Sequence, residues 1–282
     1  MSNRSVPEEI DLTSQVAIVT GGGRGIGRSI ALALAGAGAN VAVIARTTEE
    51  LAETATLIEE VGRRSLPVTV DVTDAAAIEQ MVTEVTDSLG PIDLLVNNAA
   101  VTGPLAMTWE MTDAAWWRCM DINLRGPMLC SNAVLPAMIA RQRGRIVAVA
   151  SGAGLGPMAG ASVYSVSKTA LIRLCENLAV ETAAHGVQIF SIDPGFVRTA
   201  MSESVLLSKE LGEQFRQYFA EGVDVSPELA AELVLQIASG RLDRLSGCHL
   251  SVHDDLADLE TRAEIIAQND LYRLRLRTSI CP

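Results

Sequence analysis

The chain has 282 residues, 49% of them hydrophobic and only 4% aromatic, which is enough apolar surface to bury a sizeable core. A formal net charge of −12 repels nucleic acid and anionic membranes, so neither is expected as a partner. No apolar run approaches the roughly 18 residues that a membrane span needs.

In chain order, a strand over 16–20 runs into a glycine-rich turn and a helix over 25–37, closed by Gly38. A strand over 41–45, a helix over 48–61 ending at Gly62, a strand over 66–70 and a helix over 75–89 ending at Gly90-Pro91 follow. The pattern continues with a strand at 92–96, a long helix over 113–140, a strand at 145–150, a helix over 162–184 ending near Gly186, and a strand at 187–192. The stretch 196–223 breaks the rhythm, with a helical pattern at 210–219, before a last strand at 248–252. Beyond it lie a helical tail over 256–269 and a basic stretch over 271–278. Strands alternating with helices imply right-handed crossovers and a parallel sheet covered on both faces. The expected fold is α/β, a Rossmann-like, doubly wound, seven-stranded parallel sheet. With no repeat and no Pro/Gly/Ser-rich linker, residues 1–282 are expected to form one domain. An insertion at the C-terminal edge of such a sheet sits where ligands bind, so 196–223 is read as a substrate-covering lobe and 253–282 as a tail.

The first strand ends in Thr20-Gly21-Gly22-Gly23-Arg24-Gly25-Ile26-Gly27. Glycines there allow a tight turn and a close approach of backbone to a pyrophosphate, which the following helix N-terminus then receives. Folds that bind NAD usually place an Asp or Glu at the end of the second strand, about 20 residues on, to hold the ribose 2′-hydroxyl. Here Ala45 is followed by Arg46, with Arg24 in the glycine loop. Two forked guanidinium groups suit a 2′-phosphate, so NADP(H) is favoured and NAD(H) is the alternative.

Tyr164 and Lys168 stand four apart on a predicted helix and so share a face. A phenol with a reference pKa of about 10 is a poor acid–base at neutral pH. A neighbouring ammonium is expected to lower that value. Ser151 follows a buried strand, where its hydroxyl can hold a substrate oxygen.

From here the motifs resemble, in their joint order, those of the short-chain dehydrogenase/reductase family over residues 12–252. Residues 20–27 match its TGxxxGxG loop, which implies phosphate contacts for Gly21, Gly23, Arg24, Gly25, Ile26 and Gly27. Asp71, in Val70-Asp71-Val72, matches the acid that meets the adenine amino group, with Val72 beside it. Asn97-Asn98-Ala99 matches the segment supporting the adenosine side, and Ala100 stands where the family usually has glycine. Asn123, with Gly126 three residues on, matches the asparagine that bends its helix and holds a relay water. Pro194-Gly195, the backbone of Val197, and Thr199 match the turn around the nicotinamide. The resemblance implies Tyr164 as general acid in reduction and base in oxidation. Lys168 would bind the nicotinamide ribose and Ser151 would orient the substrate oxygen.

The implied activity is an NADPH-dependent carbonyl reductase or alcohol dehydrogenase acting on a small to medium, mainly apolar carbonyl or alcohol. An NAD-dependent alcohol or hydroxysteroid-like dehydrogenase, a 3-oxoacyl-carrier-protein reductase and a nucleotide-sensing protein without turnover are the alternatives. The five cysteines never form a CxxC pair, and the N-terminus is polar and acidic, unlike a signal or transit peptide. Both point to reduced thiols in a cytoplasmic protein. His185, His249 and His253 lack metal-ligand spacing, so no metal is expected, and His253-Asp254-Asp255 is read as a loop or helix cap. Trp109, Trp116 and Trp117 are read as packing or interface residues, and Met107, Met158 and Met201 fall near the expected cleft. Two long helices, 113–140 and 162–184, carry more apolar surface than one sheet face needs, so a homodimer or homotetramer is expected.

Overall fold

A computed structural model describes residues 10–276. Arg277 of the basic stretch and Cys281 lie outside the described residues. Seven parallel strands form one sheet in the order β3-β2-β1-β4-β5-β6-β7. In chain order the first half is β1 (Val16–Thr20), α1 (Gly25–Gly36), β2 (Asn40–Ala45), α2 (Thr48–Glu60), β3 (Ser65–Thr69), α3 (Ala75–Leu89) and β4 (Leu94–Asn97). Next come α4 (Asp113–Met120), α5 (Gly126–Ala140), β5 (Gly144–Val149), α6 (Ser162–Thr182) and β6 (Val187–Asp193). The chain ends with α7 (Ala200–Ser204), α8 (Gly212–Glu221), α9 (Pro227–Ser239), β7 (His249–Ser251), α10 (Leu256–Thr261) and α11 (Ala263–Gln268).

The two-residue period of the strands feeds two cores. In β1, Ala17 and Val19 face one layer with Ile30, Leu34, Phe190, Val234 and Ile237. Val16 and Ile18 face the other, with Met81, Leu95, Met138, Ile146 and Ile172. Because both faces are covered, the strands are near-continuous apolar runs rather than alternating ones. Small residues (Ala31 and Ala35 on α1, Ala231 and Ala238 on α9) let these two helices pack closely over the first layer.

Three departures from the sequence reading have physical causes. The helix expected over 113–140 is divided by a turn of π-helix at Asp121–Arg125, one residue wider than an α-turn and typical of functional sites. Helix α9 was not anticipated; Ser226 caps it through the Glu228 amide at 3.4 Å and Pro227 occupies its first turn. The tail helix is two short ones, broken at Arg262. Its last segment packs on its own subunit: Glu176 of α6 accepts from the Leu274 amide at 2.6 Å and from Arg275 Nη1 at 3.0 Å. The Tyr272 carbonyl also accepts from the His249 amide at 2.8 Å.

After β6 the chain leaves the sheet over the stretch read as a lobe, 196–223. Its two ends are clasped by a parallel bridge between Val197 and Val225 and by the Arg198–Asp224 ion pair at 3.3 Å. Inside, Phe196 meets Phe215, Phe219 and Tyr218 with ring centroids 5.0–5.7 Å apart.

Candidate functional site

In a sheet of this order, the crossovers leave β1 in opposite directions on its two sides, opening a crevice beyond the carboxyl ends of β1 and β4. Thr20, the last residue of β1, holds this opening: its hydroxyl accepts from the Asn98 and Ala99 amides at 3.0 and 3.1 Å. Asn98 in turn donates to the Thr20 and Gly21 carbonyls at 2.9 and 3.2 Å. The glycine turn is forced by space as well as by torsion. Gly21 has φ +65°, and a Cβ on Gly27 would lie 2.2 Å from the Gly21 carbonyl oxygen. Helix α1 therefore starts flush against the turn with no capping side chain, its first amides directed at the crevice.

The crevice is a cleft of about 490 Å³. At one end stand Arg24 and Arg46; Arg24 pairs with Glu50 at 3.2 Å. Farther along that wall, Asp71 accepts from the Thr73 amide at 3.0 Å and from Arg118 Nη2 at 2.9 Å. Burial alone would raise the Asp71 carboxyl, but the Thr73 amide, the Arg118 guanidinium and the Thr73 hydroxyl together hold it down at about 2.

At the other end stand Tyr164 and Lys168 on one face of α6, the ammonium 5.6 Å from the centre of the phenol ring. Lys168 Nζ donates to the Val149 carbonyl at 2.8 Å. Its burial lowers its pKa to about 8. Burial likewise pushes the Tyr164 phenol up to about 12, against the smaller opposing pull of a hydrogen bond with Ser151. This corrects the expectation of a lowered phenol: in the protein alone, loss of water dominates and the Asp193 carboxylate pushes the same way. The Ser151 hydroxyl also accepts from the Ala153 amide at 3.1 Å, fixing it at the head of its loop.

Asn123 lies in the π-turn, fully buried. Its side chain is committed to structure: Nδ2 donates to Val101 O at 2.9 Å and to Ser167 Oγ at 3.0 Å, while Oδ1 accepts from Val101 N at 2.9 Å. Over Tyr164 an apolar wall is built from Leu105 and Met158 together with Val205, Leu211 and Phe215 of the lobe.

Of the residues singled out in the sequence, Gly21, Gly23–Gly27, Arg46, Asp71, Val72, Asn98, Ala99, Ala100, Tyr164, Lys168, Pro194 and Thr199 all line this one cleft. Met201 lines it as well. Gly195 and Val197 are not among its lining residues, and the Val197 carbonyl accepts from the Ser202 hydroxyl at 2.9 Å. Trp109 is 82% exposed and lines nothing. Sequence reading missed Glu50 and Arg118. Glu50 lies in the first turn of α2, just after Arg46, a nearness in sequence that would have placed it on the same edge. His249, read as lacking metal-ligand spacing, is not among the residues lining this cleft. It is buried against Ser191 Oγ at 3.0 Å with its Nε2 unpartnered.

The family model for short chain dehydrogenases matches residues 15–240. A short chain dehydrogenase from Pseudocercospora fijiensis is 34% identical over 262 residues, covering 90% of this chain and 84% of its own. Galactitol 2-dehydrogenase from Rhizobium johnstonii is 35% identical over 256 residues, covering 88% and 97%. Among solved structures, NAD+-bound xylitol dehydrogenase superposes with a TM-score of 0.79 at 27% identity, over 85% of this chain and 97% of that one. Motif order, sheet order and full-length similarity agree: the chain belongs to the short-chain dehydrogenase/reductase family and is an NAD(P)-dependent oxidoreductase acting on alcohol or carbonyl groups.

Proposed function

We propose that the protein reduces the carbonyl of a small to medium, mainly apolar substrate with NADPH. One observation carries this reading: a single cleft joins Arg24 and Arg46 at one end to Tyr164 and Lys168 at the other. The residues fit the dinucleotide. The glycine turn leaves room only for backbone, α1 offers uncapped amides to the phosphates, Asp71 stands ready for the adenine amino group, and Arg46 for a 2′-phosphate.

When bound, the nicotinamide supplies the hydride in reduction and accepts it in oxidation. Tyr164 gives its phenolic proton to the substrate oxygen as that oxygen gains negative charge. Ser151 accepts from the Ala153 amide and has its own proton to donate to the same oxygen. Lys168 spends one N–H on Val149 and retains the others for the ribose hydroxyls and for reprotonating Tyr164. The Asn123 side-chain amide protons are spent on Val101 O and Ser167 Oγ and Oδ1 accepts from Val101 N, so a water relay there would use its main-chain carbonyl. The wall of Leu105, Met158, Val205, Leu211 and Phe215 over Tyr164 favours an apolar substrate.

The relatives named for galactitol and for NAD+-bound xylitol favour a second reading, an NAD-dependent dehydrogenase of polyols. Titrating NADPH and NADH side by side, then assaying apolar ketones against sugar alcohols, separates the two. Tighter NADPH binding that weakens about tenfold in Arg46→Ala, with turnover of ketones, supports the first. Equal or tighter NADH binding with turnover of polyols supports the second.

A further inference from the structure

The Arg24–Arg46 end of the cleft also holds an acid. Glu50, in the first turn of α2, lines the same wall, with Oε1 3.2 Å from Arg24 Nη1. Its side chain is 30% exposed and that of Arg24 67%. Glu50 is the anchored member. Its carbonyl accepts from Arg28 Nη2 at 3.3 Å and Thr54 Oγ1 at 3.1 Å, and a Cβ on Gly23 would come within 2.9 Å of its own Cβ. Arg46 has no hydrogen bond or ion pair among the described residues. The two arginines are therefore not equivalent: Arg46 is free to meet an anion, whereas Arg24 is already neutralised by a carboxylate facing the same space.

We propose that Glu50 limits the selectivity of this enzyme for NADP(H) over NAD(H). A 2′-phosphate must draw Arg24 away from Glu50 and lie near the Glu50 carboxylate, two costs that a 2′-hydroxyl does not meet. A hydroxyl can instead donate to that carboxylate. Arg46 favours the phosphate, Glu50 opposes it, and the enzyme accepts both cofactors with a shallow preference. This rests on the reading that Arg46 faces the 2′ position.

The test is equilibrium binding to the full-length protein, read by nicotinamide fluorescence, with NADPH and NADH at low and high salt. Adenosine 2′-monophosphate, set against the 5′-monophosphate, serves as a probe independent of turnover. Glu50→Gln should raise the ratio of NADPH to NADH affinity about two- to fivefold, the range of an exposed charge interaction. The gain should shrink at high salt. It should also be smaller in the Arg24→Ala background, where no paired guanidinium remains to be released. An unchanged or reduced ratio in Glu50→Gln, while Arg46→Ala lowers it, overturns the role of Glu50 and leaves that of Arg46 standing. If neither substitution moves the ratio, the 2′-phosphate lies elsewhere and both readings fall together.

Discussion

Tyr164 and Lys168 shift apart in the free protein, the phenol up to about 12 and the ammonium down to about 8, because burial penalises the charged form of each. Below pH about 8 Lys168 is an ammonium, and above it the charge is lost. Cofactor affinity should therefore weaken as pH rises through about 8, whereas Lys168→Met should bind weakly with a flat profile; titrations across this range read both. The stability consequence has the opposite sign. The ordinary lysine value is 10.5, so between about 8 and 10.5 the unfolded chain binds the extra proton. The penalty for burying this group is full below about 8 and is relieved as pH rises toward 10.5. Tyr164→Phe should cut turnover by about 10²–10⁴-fold while NADPH still binds, as loss of a general acid requires. Stopped-flow mixing with a ketone would separate the two effects. Spacing pointed to Tyr164 and Lys168 only in company with the glycine turn upstream, and that both line one cleft with that turn follows from the fold. The direction of the tyrosine shift was not legible, since it depends on how much water the rest of the fold removes.

Among elements, the π-turn and the tail show where sequence periodicity stops informing. A repeat of 3.6 residues reads straight through 113–140. The widened turn exists because Asn123 bonds both backbone groups of Val101 and the Ser167 hydroxyl, partners distant in the chain. The strands, the glycine stops with positive φ (Gly38, Gly62, Gly90 and Gly186) and most helices were legible because each follows from local torsion and burial. The tail was not, since its path depends on one buried acid. Glu176, with a side chain 7% exposed, receives Leu274, Arg275 and Arg173. Glu176→Gln should loosen the last segment, speed tryptic cleavage at Arg273 and Arg275, and cost about 1–3 kcal/mol in denaturant unfolding. A variant as resistant as the parent would show that packing of Leu274 alone holds the tail.

At the scale of the whole molecule, the outer face of α6 carries Val166 and Val180, 46% and 79% exposed, on a helix otherwise packed on the sheet. We expect this face to join two copies of the chain. Light scattering should give a dimer or tetramer that Val180→Glu converts to a smaller species, and a parent that scatters as a monomer would remove the idea. No described helix is long and apolar enough to cross a membrane. The clasp at the base of the lobe has a wider consequence. Val197 pairs with Val225, so the chain leaves and re-enters the scaffold at neighbouring points, and everything from Arg198 to Asp224 is an excursion outside the sheet. Such a segment is an exchangeable cassette. A relative's segment, longer or shorter, grafted between Met201 and Val225 should keep Thr199 and Met201 in the cleft while changing the wall over Tyr164, because the entropic cost of a longer loop grows only logarithmically with its length. New substrates can thus be acquired by replacing one stretch of chain while the hydride-transfer chemistry stays in place.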